Sequence, residues 1–269
     1  MRDIKIGIGI TTYTNTDLRL RIARESIAQI LSRVPNGSEV VIVDDYSTYK
    51  TDYSNWNFFN NITQVYNPEN QGVARSKNKC LEILIDRGCT DLFLFDDDVW
   101  FSDAKYYYEY AYAELPHFNP YPKEHIENPK KIKSRFIFEN QKYIEAFPYG
   151  SCLYFQRELI EKIGGYNILM HFGEEHRMME EAIYRLQYTP KGSFDFYRPN
   201  NNYPVQIHPN TFHSQASSLP RIEKQKYIKQ AQSLLTSFEG LKCPYKESEY
   251  EEFLSNVAVR KNLEYIYHP

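Results

Sequence analysis

The chain has 269 residues, and 42% hydrophobic against 25% charged residues is the mix of a folded globular protein rather than a disordered one. Lysine and arginine number 32 against 35 aspartates and glutamates; the net charge of −3 excludes a general polyanion binder while leaving room for a local basic groove. No apolar run approaches the roughly 20 residues that cross a bilayer, and the start MRDIKIGIGI lacks the regions of a secretory signal, so the expectation is a cytoplasmic chain without a transmembrane segment.

Residues 4–10 read as a short apolar strand that ends at the polar turn Thr11-Thr12-Tyr13-Thr14-Asn15. A helical stripe follows, with Leu20, Ala23, Ile27, Ile30, Leu31 and Val34 at spacings of three and four, and Pro35-Asn36-Gly37 stops it. Residues 39–43 form a second, β-branched strand running into Asp44-Asp45, and 62–66 a weaker third. Gly72 opens a helix through residue 86 with Cys80, Leu81, Leu84 and Ile85 on one face, closed by Gly88. A fourth strand, 91–95, ends in Asp96-Asp97-Asp98. Strand and helix alternating at this spacing predict a parallel sheet with right-handed crossovers, whose ligands sit at the carboxyl ends of the strands. Three polar clusters, Thr11 to Tyr13, Asp44-Asp45 and Asp96 to Asp98, are therefore expected on one rim.

Beyond residue 100 the pattern loosens. Residues 115–135 read as a long loop, structure resumes over 136–147, a helix over 157–163 stops at Gly164-Gly165, and another spans 174–188. The tail beyond 220 is expected to be helical and amphipathic. The cysteines Cys80, Cys89, Cys152 and Cys243 form no C-x-x-C pair, so reduced and mostly buried thiols are expected. The 24 tyrosines and 16 phenylalanines are expected chiefly to fill the core and its edges.

Three successive aspartates after an apolar strand repel one another unless something offsets their charge. A hard divalent cation does so, since carboxylate-rich sites suit magnesium and manganese; the bland alternative is a helix N-terminus. Asp44-Asp45-Tyr46-Ser47 ends the second strand, and Asn70 to Asn78 opens the third helical region with Arg75 and Lys77 in it. With Thr12-Tyr13 and Asp96-Asp97-Asp98, these elements resemble, in order, the motifs of the family 2 glycosyltransferases, nucleotide-sugar enzymes of the GT-A fold. Two positions depart from that pattern: Tyr46 stands where glycine is usual, and Ser76 separates Arg75 from Lys77-Asn78.

The resemblance covers about residues 4–215 and implies an α/β GT-A domain over 1–215. Its halves would be a nucleotide-binding one (1–100) and an acceptor one (101–215), with a C-terminal helical extension over 216–269 packed on it. It implies a metal-dependent, inverting, hexosyltransferase-like enzyme using a nucleoside-diphosphate sugar, UDP-sugar favoured. Thr11, Thr12, Tyr13, Asp44, Asp45, Arg75, Asp96 and Asp97 would contact the donor, with Asp44 or Asp45 on the base and Arg75 near the diphosphate or base. Asp96, Asp98 and His213 would hold Mn2+ or Mg2+, His213 fitting better than His208 or His176. In Gly173-Glu174-Glu175-His176, Glu175 takes the place of the usual catalytic base and Glu174 would position acceptor hydroxyls. The acceptor could be a glycan, a lipid-linked glycan, a protein or modified DNA. The alternatives are a nucleotidyltransferase or a catalytically inactive sugar- or nucleotide-binding protein of the same fold.

Overall fold

The computed structural model describes residues 2–54, 56, 62–170, 175–186, 188–190, 193–198, 202–211, 225–226, 229 and 242–260. Four strands, β1 (Ile6–Thr12), β2 (Glu39–Asp44), β3 (Ile62–Tyr66) and β4 (Asp91–Asp96), pair in parallel in the order β3-β2-β1-β4. The crossovers are α1 (Asp17–Leu31) between β1 and β2 and α2 (Val73–Asp86) between β3 and β4. The expected parallel sheet is present, with β1 shifted to run through Thr11 and Thr12.

Alternation along β1 divides the core. Ile6, Ile8 and Ile10 join the cluster that contains Ile27 and Ile30 of α1, while Gly7 and Gly9 face the opposite side. A Cβ on Gly9 would lie 2.6 Å from Cβ of Cys80 on α2, so glycine lets that helix sit close against the sheet. α1 begins at a Thr16 cap, whose side chain accepts the Arg19 N–H. Much of the aromatic content fills the α1 face, where Phe93 meets Tyr107 edge-on at 5.0 Å between centroids.

After β4 the chain turns through Asp97-Asp98 into β5 (Val99–Phe101), then α3 (Lys105–Ala111), β6 (His117–Phe118) and α4 (Lys123–Ile126). β7 (Ile132–Phe138) and β8 (Gln141–Ala146) form a hairpin, joined by β10 (Phe194–Phe196) in a three-stranded antiparallel sheet. β9 (Cys152–Gln156) returns to the main sheet antiparallel to β4, and β6 pairs with β9. α5 (Arg157–Ile163), α6 (Glu175–Arg185) and β11 (Val205–Ile207), which pairs with β5, follow.

The segment 115–135 is therefore not one long loop. Its organiser is Asp195 of β10, fully buried, which accepts the Tyr121 N–H at 3.2 Å and the Tyr110 hydroxyl at 2.8 Å. A two-residue strand and a four-residue helix carry no periodicity to read. α6 is also shorter than expected, ending at Arg185.

Most of the tail from 216 to 241 lies outside the described residues. Farther on, α7 (Tyr250–Arg260) puts Tyr250 and Phe253 into the core cluster on the α2 side. Cys243 O accepts the Gly165 N–H at 2.7 Å. Asn78 of α2 ties the same corner down: its amide donates to Tyr166 O at 2.9 Å and accepts the Tyr166 N–H at 2.7 Å. All four cysteines are free and buried. Among the described residues no helix is long and apolar enough to cross a membrane.

Candidate active site

The register of the sheet brings the polar strand ends together, Thr12 beside Asp44 and Thr11 beside Asp96. Hydrogen bonds brace the rim: Asp45 N–H donates to Thr12 O at 2.9 Å, and Thr14 N–H to the Ser47 hydroxyl at 2.8 Å. The two adjacent aspartates then diverge. Asp45 accepts the Asn67 amide at 2.8 Å and the backbone N–H groups of Gln71 and Gly72 at 2.8 and 2.9 Å, so it is committed to the loop that launches α2. Asp44 accepts the Ser47 N–H at 2.7 Å, and burial raises its pKa against that bond. Between Asp45 and Ser47, Tyr46 has φ of +68°, which explains why glycine is usual there. A tyrosine in this region costs on the order of 1 kcal/mol, and its side chain is exposed.

The aspartate triplet also divides. Asp97 is buried, accepts the Thr12 hydroxyl at 2.6 Å and pairs with Arg19 of α1. Burial lifts its pKa to about 6, with Arg19 offsetting part of the effect. Thr12 and Asp97, expected at the donor, thus bond each other across the fold. Arg19 also reaches Asp98 at 3.3 Å. Asp98 keeps a buried Oδ1 that accepts no hydrogen bond, while Asp96 Oδ1 faces the Lys77 ammonium at 3.2 Å.

Among the described residues no group of three or more His, Cys, Asp and Glu side chains is set to hold a metal ion by itself. Asp98 with its orphaned oxygen and the partly exposed Asp96 nonetheless fit a cation such as Mg2+, which takes one or two protein carboxylates and completes its shell with substrate phosphates and water. His208 is turned elsewhere: its Nε2 lies 2.9 Å from Glu25 of α1, and its N–H donates to Asp98 O at 2.8 Å. His213 and Glu174 lie outside the described residues.

The cation that reaches this rim from α2 is Lys77 rather than Arg75. Arg75 places its guanidinium 5.3 Å from the centre of the Tyr250 ring on α7. Two residues on, the buried Lys77 ammonium lies 3.2 Å from Asp96 and 3.3 Å from Glu175, and donates to Gly150 O at 2.9 Å. Burial works against its charge, but the two carboxylates win and raise its pKa. Lys77 thereby joins the carboxyl end of β4 to the first residue of α6.

At Glu175 burial opposes ionisation, yet Lys77 and His176 hold the carboxyl far below the usual carboxylate range. His176 Nδ1 stands 3.5 Å from Glu175 Oε1, while Oε2 is buried and accepts no hydrogen bond. The site thus offers an ionised carboxylate with one oxygen uncommitted. Thr11 is buried and Tyr13 half-buried at the same strand end.

Lys77 and Arg19 are the residues that sequence reasoning left without a role. Ala74, Lys77, Asn78, Leu81, Leu84 and Ile85 form one buried stripe at helical spacing, a pattern that points Lys77 inward. Arg19 sits in the first turn of α1, where a cation is disfavoured by the helix dipole unless acids face it.

No family model matches the chain. An uncharacterized glycosyltransferase of Acanthamoeba polyphaga mimivirus is 30% identical over 189 residues, covering 65% of this chain and 71% of that protein. Among solved structures, S. aureus TarS in complex with UDP-GlcNAc aligns over 96% of this chain and 72% of its own, with a TM-score of 0.54 at 13% identity. GalNAc-T7 with UDP, GalNAc and Mn2+ aligns over 98% of this chain and 57% of its own, with a TM-score of 0.50 at 11% identity. The fold is shared with the two structures, and the viral relative carries the identity across most of its length; the chain belongs to the glycosyltransferases of the GT-A fold.

Proposed function

We propose that the protein moves a sugar from a nucleoside-diphosphate sugar, UDP-sugar favoured, to a hydroxyl acceptor with inversion at the anomeric carbon. The observation that carries this reading is the Lys77 bridge, which holds Asp96 at the end of β4 next to Glu175, whose second oxygen is uncommitted. Asp96 and Asp98 would hold Mn2+ or Mg2+, with His213 the remaining candidate ligand. The chemistry such a cation supplies when bound is neutralisation of charge on the departing diphosphate.

Asp44 is the better of the two adjacent aspartates for the base, because Asp45 is already bonded three times within the fold. A carboxylate there can accept the imino proton of uracil. Thr11, Tyr13 and the exposed Tyr46 complete the donor edge, while Thr12 and Asp97 act by fixing its shape. On the acceptor side Glu175 takes the proton of the attacking hydroxyl as its oxygen bonds the anomeric carbon. The bond from that carbon to the diphosphate breaks, its electron pair leaving with the diphosphate. Glu174 is proposed to orient the acceptor. The four free, buried thiols support a reducing compartment such as the cytoplasm.

A thermal-shift titration tests the donor half. UDP and manganese together should stabilise the protein by several degrees, with much smaller shifts from either alone, because the ligand binds the native state only. Asp98→Ala should abolish the joint shift while leaving the protein folded, and GDP or CDP should stabilise less than UDP. An equal shift with UDP in excess chelator would refute the metal assignment. A clear preference for GDP would refute the role of Asp44.

A further inference from the structure

A cavity of about 440 Å3 opens between the β7–β8 hairpin and α6, lined in part by His176, the neighbour of Glu175. Its volume is typical of small-molecule sites, which run from roughly 300 to 1,000 Å3. One wall is Glu180, 3% exposed, whose carboxyl oxygens accept no hydrogen bond of ordinary geometry. A buried carboxyl so weakly partnered costs stability unless a ligand adds donors. His117 Nε2 stands 3.8 Å from Glu180, but burial holds that ring neutral by lowering its pKa to about 4. The Ser193 hydroxyl on the same wall is shared, since it also bonds Asn119 and Tyr121. Burial accordingly lifts the Glu180 pKa to about 8, with His176, Ser193 and Lys133 offsetting part of the effect.

The rest of the lining is balanced in sign, Lys133 and Arg177 against Glu145 and Glu181, and the rim carries two half-exposed aromatic rings, Phe147 and Tyr184. A balanced lining gives a polyphosphate or nucleic-acid backbone no net attraction. It suits a neutral polyhydroxylated ligand, whose hydroxyls both donate and accept and whose C–H face can rest on an aromatic ring. We propose that this cavity is the acceptor subsite and takes a saccharide, with Glu180 as its buried hydrogen-bond anchor and Phe147 and Tyr184 as the platform for the sugar ring. The inference rests on the glycosyl-transfer reading and adds the class of acceptor to it. His176, which lines the cavity and stands 3.5 Å from Glu175, links the cavity to the proposed base.

The test is saturation-transfer NMR with a panel of methyl glycosides of glucose, galactose, mannose and N-acetylglucosamine and their common disaccharides, without donor. At least one should bind the wild type, and Glu180→Leu should weaken it at least tenfold. Glu180→Leu fills the space with an apolar group of similar size and should fold at least as well. The wild type should lose stability as pH rises from about 4.5 through 8, because the native carboxyl holds a proton that the unfolded one releases, and the leucine variant should lose that dependence. Tyr184→Ala, at an exposed position, provides a second variant and should also weaken binding. The joint shift with UDP and manganese should persist in both variants. Its absence from the wild type would count against the donor reading, whatever the saccharides do. Failure of every saccharide to bind, equal binding by the variants, or preferential binding of a short DNA or a polyprenyl phosphate would overturn the saccharide site.

Discussion

Replacing Glu175 by glutamine should lower kcat by about 100-fold or more while leaving donor affinity nearly unchanged. Glutamine keeps the size of the side chain and its hydrogen bonds but cannot take a proton. On the proposed reading Oε2 would receive it, since Oε1 faces Lys77 and His176. Lys77 and His176 keep Glu175 ionised against burial, so the base is ready across the neutral range and should be lost only well into acid. Steady-state kinetics with donor and acceptor varied separately would check it. A near-normal kcat would move the base elsewhere, first to Glu174.

Lys77→Met should be costly in two ways. It leaves Glu175 buried, and the half-buried Asp96 beside it, without their shared cation, and breaking a buried pair by removing one partner costs about 3–5 kcal/mol. For a chain of this size that is a fall in Tm on the order of 10 °C. The second effect is on titration. Without Lys77, burial raises the pKa of Glu175, so the acid limb of the kcat/KM profile should move up toward neutrality. The sign also follows for stability. In the wild type the depressed pKa of Glu175 adds stability above about pH 4.5 that is lost as the pH falls further, and the methionine variant should lack that contribution. Lys77→Arg should restore part of the pH profile if the charge is what matters. An unchanged Tm together with an unchanged acid limb would show that Lys77 does not hold the two carboxylates.

The polar rim was legible because parallel βα units place strand ends side by side whatever the side chains are. Thr12, Asp44 and Asp96 are neighbours in register, and their spacing in the chain was enough to say so. What spacing could not say is which of two adjacent carboxylates the fold itself takes up. Asp45 and Asp97 turn into the fold because Gln71, Gly72, Thr12 and Arg19 supply their donors, and those partners come from distant elements. Arg75 and Lys77 show the same limit on a helix. Two residues apart they point to nearly opposite sides, and only the buried stripe on α2 decides which faces the rim.

The acceptor half was less legible. Asp195 organises the segment around Tyr121 through tertiary hydrogen bonds that leave no local pattern, and Glu180 lies among ordinary helical charges in the sequence. Burial, not residue type, sets Glu180 apart. Tyr46 is the opposite case. A departure from the usual glycine was visible in the sequence, and the positive φ gives its cost and its reason.

The most direct test of a single displacement based on Glu175 is the anomeric configuration of the product. With a UDP-α-sugar as donor, proton NMR of the newly formed glycoside during early turnover should show the β configuration. One attack from the acceptor side, assisted by one base, leaves no covalent intermediate to reverse the outcome. A product that retains the α configuration would contradict this mechanism.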